Sequence, residues 1–247
     1  NLAPANSAGS DNVALDAGGN ITLTADSQSE NSFLLTAGGG ISTANIRAGI
    51  RGGDAIIHAG GDVTLGNVRV DDENISINGA AVTTGSLYAG VGLTVTGTSI
   101  DIGFARTDGT ETVLRATAGN VLSDGITSAT TIDIDATGSV TTGNLSTDFG
   151  DILVDAGTGI STGTLDTFGN RAIDLNAGGD IDFTSASAGS TVAIDGGGAI
   201  TGGDVGGSGA VTISGSSIDI GSVDAGASIA LAATGGNLSA NDLTTGA

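Results

Sequence analysis

Arg47, Arg69, Tyr88 and Arg106 are the residues whose types best suit recognition chemistry, and they recur at intervals of 22, 19 and 18 residues. A line of guanidinium groups with a phenol could hold the carboxylate or sulfate of a glycan, or a neighbouring protein. The same stretch carries Asp71, Asp72, Glu73, Asp108 and Glu111. Exposed pairs with those acids would be worth about 0 to 1 kcal/mol each. On the residues alone two readings stand: a column contacting a ligand or partner, or a solvated face whose charges pair among themselves.

Other chemistry is sparse. The one histidine, His58, lies between Ile57 and Ala59 on the outward phase of an alternating run, with no Ser or Cys in a pairing position. Asp135, Asp155 and Asp195, with Asn176 between, form an outward acidic column. Oxygen ligands in a row could hold calcium, but the calcium-roll pattern Gly-Gly-x-Gly-x-Asp does not occur. Adjacent carboxylates repel by only about 1 kcal/mol in water, so a solvated face needs no metal. Thr22, Ser42, Thr64, Thr83, Thr141, Ser161 and Thr201 make a hydroxyl column that could order water as ice-binding solenoids do. Asp101, Leu122, Asp182 and Asp219 interrupt it, which favours plain β-propensity.

Composition excludes several classes. Twenty-seven acidic residues face six basic ones, all arginine, for a net charge of −21, so nucleic acid is a poor partner. No cysteine is present for a disulfide framework or a thiolate metal site. Glycines are frequent, yet none belongs to a Gly-Lys-Ser/Thr phosphate loop. No apolar run approaches the roughly 20 residues of a membrane-spanning helix. Neither a cofactor, a metal nor catalysis is expected.

The elements that position these residues come from a repeat. An apolar anchor returns at Ile21, Ile41, Val63, Val82, Ile100, Val121, Val140, Ile160, Ile181, Ile200, Ile218 and Leu238, every 18 to 22 residues. Seven or eight residues before each anchor stands an apolar pair with period two, as in Phe33/Leu35 and Ile152/Val154. Five residues after many anchors comes a third apolar position, as at Ile46, Val68 and Leu87; the Arg/Tyr column lies one residue beyond it. Strands of this length, separated by Gly, Asn, Asp and Ser corners, predict a right-handed parallel β-helix, a solenoid of about 12 coils of about 20 residues with three short strands per coil. The corner residues are of types that tolerate the left-handed region or bond their own backbone. Residues 1–247 read as a single repeat domain, an excerpt of a longer shaft whose coil ends meet further repeats of the same polypeptide or neighbouring copies. In the first coil the polar run 25–31 replaces the third apolar position, which predicts a loose edge or a bulged loop.

The runs Ala17-Gly18-Gly19-Asn20-Ile21-Thr22-Leu23 and Ala177-Gly178-Gly179-Asp180-Ile181-Asp182-Phe183 resemble the repeat regions of filamentous-haemagglutinin-like exoproteins of two-partner secretion. The likeness covers nearly the whole chain. It implies a right-handed β-helix, passage through an outer-membrane transporter, secretion to the bacterial surface, and a role in adhesion, aggregation, biofilm or a surface fibre, with glycans or cell-surface receptors as partners. The Asn-Pro-Asn motifs of that family's secretion domain do not occur here. Outside that likeness stand a polysaccharide-binding or polysaccharide-degrading β-helix, and a calcium-dependent or ice-binding module.

Overall fold

The computed structural model describes residues 12–246 as strands and tight corners, in a parallel β-solenoid. One unit runs to Asp124 and a second starts at Gly125. In the first unit six first strands, from Val13–Ala17 to Thr112–Ala116, pair in parallel, each with the one a coil further on. The second unit repeats this with six more, from Ile132–Ala136 to Ile229–Ala233.

Second and third strands continue each coil, as in Ile41–Thr43 and Ile46–Ala48. In several coils they run on as one element, for example Ser99–Thr107 and Val140–Thr147, so the second corner is there a bend within a strand. The alternation explains the interior. Phe33, Leu35, Ile41 and Ile46 are each at most 2% exposed, while Leu34, Ser42 and Arg47 between them point outward.

Two features differ from the sequence expectation. The run 25–31 is neither a loose edge nor a bulged loop: Ser27–Gln28 is a strand in register with Ile46 and Arg47, reached through one extra corner residue. Ser27 and Ser29 are buried, and the Ser29 hydroxyl donates to the Ser32 carbonyl at 3.0 Å. Small hydroxyl side chains therefore replace apolar ones in the core when a corner carbonyl accepts their proton. Thr107, Ser128, Thr147 and Thr167 are buried in the same way, each bonded to a carbonyl three or four residues on.

The corners are the second difference. Among the described residues no non-glycine has a positive φ, so Asn20, Asp62 and Asp180 do not turn the chain by entering the left-handed region. Each instead accepts a backbone N–H from the next coil: Gly40 on Asn20 at 2.8 Å, Ala81 on Asp62 at 3.1 Å and Ala199 on Asp180 at 2.7 Å. The second corner repeats the device through Asp26, Asn45 and Asn67 in one unit and Asn144 and Asp204 in the other. A corner amide that the sheet leaves unpaired is thus satisfied by a side chain one coil below.

Glycine at the first corner answers to stacking rather than to φ. A Cβ on Gly38 would stand 2.5 Å from the Gly18 carbonyl oxygen, and Gly60 faces Gly38, and Gly178 faces Gly157, at least as closely. The corner 49–54 does meet the expectation of a left-handed turn, since Gly49, Gly52 and Gly53 take positive φ there. It carries Ile50 and Arg51 outward, in the coil whose anchors are 22 residues apart.

Candidate functional site

Arg47, Arg69, Tyr88 and Arg106 occupy one column on successive third strands of the first unit, in register Arg47 with Arg69, Arg69 with Tyr88, and Tyr88 with Arg106. The column starts one coil earlier, at Gln28 beside Arg47. Counting six from Ile21 lands on Ser27, because the first coil holds one residue more before its third strand. That insertion hid Gln28. Phe104 does not shift the register, since Ala105 takes the core place and leaves the ring 43% exposed.

The column is cross-linked by two carboxylates. Asp71 receives Arg47 Nη2 on Oδ2 at 2.9 Å and Arg69 Nε on Oδ1 at 2.5 Å. Asp108 receives Arg106 Nε on Oδ1 at 2.7 Å and the Tyr88 hydroxyl on Oδ2 at 2.5 Å. The Arg69 guanidinium carbon lies 4.3 Å from the centroid of the Tyr88 ring, and that of Arg106 lies 6.0 Å away. Tyr88 is thereby held between cations on the two adjacent coils. Both acids follow an arginine by two residues, as Arg69-Val70-Asp71 and Arg106-Thr107-Asp108. Strand periodicity brings such a pair out on one side.

Electrostatics follow from these contacts. Partial burial alone would raise the Asp71 carboxyl, but hydrogen bonds from Arg47 and Arg69 bring it below its ordinary 3.8. Asp108 is lowered by its bonds from Tyr88 and Arg106. The Tyr88 phenol is raised above 10.0, chiefly because its proton is held on Asp108.

Beside the Gln28 end lies a cleft of about 300 Å³, lined by Asp26, Gln28, Asn45, Arg47, Asn67 and Arg69 among others. Asp26 Oδ1 is engaged by the backbone and side-chain N–H of Asn45 at 3.2 and 3.0 Å. Asn45 and Asn67 accept corner amides through Oδ1 at 2.8 Å each. The side chains of Arg47 and Arg69 are about half exposed, each has one ion-pair contact, to Asp71, and both line the cleft.

Compared with protein-family models, with curated proteins and with solved structures, the chain finds no match. Its site is therefore read from its own geometry.

The remaining sequence candidates lie elsewhere. His58 is outward and exposed, in register with Thr36 and Asn78. Asp135, Asp155, Asn176 and Asp195 do form one column in the second unit, where Asn176 Nδ2 donates to Asp155 Oδ1 at 2.7 Å. Among the described residues no three His, Cys, Asp or Glu are grouped to hold a metal ion. Thr22, Ser42, Thr64 and Thr83 are in register and lead to Asp101. Likewise Thr141 and Ser161 lead to Asp182 before Thr201. No helix among the described residues is long and apolar enough to cross a membrane.

Proposed function

We propose that the chain is a structural and adhesive shaft segment of a large bacterial exoprotein, secreted or attached to the cell surface, working without catalysis. The observation that carries this reading is the solenoid itself: coil after coil in parallel register, with short corners and outward columns of repeated groups. Such an array resists bending through its ladders and presents one group many times for multivalent contact. The likeness of its Gly-Gly-Asn/Asp-Ile repeats to filamentous-haemagglutinin-like exoproteins supports export through an outer-membrane transporter.

Deleting the parent polypeptide from its bacterium should abolish surface attachment and aggregation, and restoring it should recover both. Restoration with Ala at Gly38, Gly60 and Gly178, which breaks coil stacking, should fail. Attachment that persists without the polypeptide contradicts the adhesive reading. The cleft beside Arg47 and Arg69 favours a second, narrower reading, polysaccharide binding by the same surface.

A further inference from the structure

From the cleft of the first unit we infer a binding site for one sugar residue bearing a carboxylate, a uronate-type saccharide, held by Arg47 and Arg69 and oriented by Gln28 and Asn67. The inference rests on the adhesive reading for its context but on the cleft for its chemistry.

Asp71 supplies the main argument. It is bridged by both guanidiniums, one on each oxygen, at 2.9 and 2.5 Å. Residues in register on adjacent coils, about 4.8 Å apart, are therefore spaced to grip a single carboxylate between them. Each guanidinium has five N–H donors in a fixed fork and uses one here for an ion pair. A ligand carboxylate entering from the cleft would repeat the Asp71 arrangement on the other side.

Donor balance points the same way. Asp71 and Asp26 offset the two guanidiniums in charge, so it is the fork of unused N–H donors on Arg47 and Arg69, rather than an excess of positive charge, that suits a carboxylate. The Asn67 side chain spends its oxygen on the Ser86 amide, which leaves its NH₂ for a ligand. Gln28 adds another amide, with both a donor and an acceptor. Asp26, on the cleft wall, offers Oδ2 as an acceptor for sugar hydroxyls while Asn45 holds Oδ1. A carboxylate flanked by hydroxyls matches this set, and a bare hydrocarbon acid does not. Tyr88 does not offer its face to a sugar, because Arg69 lies over the ring. It is a positioning residue for Arg69.

Calorimetric titration of the full chain with oligogalacturonate, with neutral oligogalactose and with a sulfated oligogalactose tests the inference. Oligogalacturonate should bind at least about tenfold more tightly than either of the others. Arg47→Gln and Arg69→Gln should each weaken it about tenfold or more. Arg51→Gln, whose guanidinium pairs with Glu30 away from the cleft, should leave it unchanged. The emission of Tyr88, the one tyrosine in a chain without tryptophan, should change on binding and lose that response in Arg69→Gln. Equal binding of the sulfated sugar overturns the carboxylate assignment. Equal binding of the neutral sugar, or full binding by both arginine variants, overturns the site. Circular dichroism of each variant separates loss of the site from loss of the coil. A chain that binds no uronate yet still supports cell attachment refutes the site and spares the adhesive reading.

Discussion

The two units share one coil and differ in what they display on it. Five of the six arginines lie before residue 125, whereas the second unit sets 14 acidic residues against Arg171 alone. Beside the second corner the first unit has a cleft of about 300 Å³ with Arg47, Arg69, Gln28 and Asn67 in its wall. In the second unit a cleft of about 480 Å³ near the same corner is walled by Thr184, Thr201, Asp204, Asp219 and Asn241, without a cation. Stacking depends on inward residues and corners, which both units keep. Recognition depends on outward residues, which are free to diverge, because in a solenoid each outward side chain can change without disturbing the ladder beneath.

The strongest way to break that comparison is through the shared part. Gly60→Ala in the first unit and Gly178→Ala in the second each drive a Cβ into a backbone carbonyl one coil away. Each should cost about 3 kcal/mol in denaturant unfolding, since backbone cannot yield as a side chain does. Tolerance in one unit alone would show that the coils are not equivalent. Next come the corner ladders. Asn67→Ala and Asn144→Ala each leave a corner amide, of Ser86 or Thr164, without its acceptor. Each should cost about 1 kcal/mol.

Acid titration sharpens the difference between the units. The Asp71 and Asp108 carboxyls lie below 3.8 when folded, so their contribution is complete above that value and is lost as the pH falls through the lowered ones. Asp174 in the second unit is raised by burial and by Asp155 and Asp195. Its contribution is complete below 3.8 and is lost as the pH rises through the raised value. Near neutral pH, Asp71→Asn should therefore lower the unfolding free energy by up to about 1 kcal/mol. Asp174→Asn should raise it by about 0.3 kcal/mol. A shift of the same sign in both variants would refute the contrast. The smallest effect is spectroscopic: the midpoint of the tyrosinate absorbance should lie above pH 10.0, and Asp108→Asn should move it back toward that value.

Much of this was legible in the sequence because the repeat is strict where burial is strict. Ile41, Val63 and Val82 recur in one phase, and a strand that slipped by one residue would expose its entire inward set. The Arg/Tyr column followed from the same counting. What the counting missed depends on contacts between coils. Asn20 and Asp62 looked like residues for a left-handed turn, yet they are acceptors for amides 20 and 19 residues away. Gly38 read simply as part of a corner and is a place where no side chain fits. Gln28 was hidden by a one-residue insertion. Asp71 was one of several possible partners until the register set it between two guanidiniums. Relations of this kind are set by stacking, which no single repeat contains.

The central claim is that identical positions on successive coils lie side by side, and the absence of cysteine makes it directly measurable. Nitroxide labels on cysteines placed at 64 and 83, in register on adjacent coils, should show strong dipolar broadening. Labels at 42 and 83, two coils apart, should show markedly less, since the separation doubles to about 9.6 Å. The pair 141 and 161 in the second unit should match 64 and 83. Equal broadening for the adjacent and the two-coil pairs, or stronger broadening for the latter, would contradict the coil register on which both the ladder and the arginine column depend.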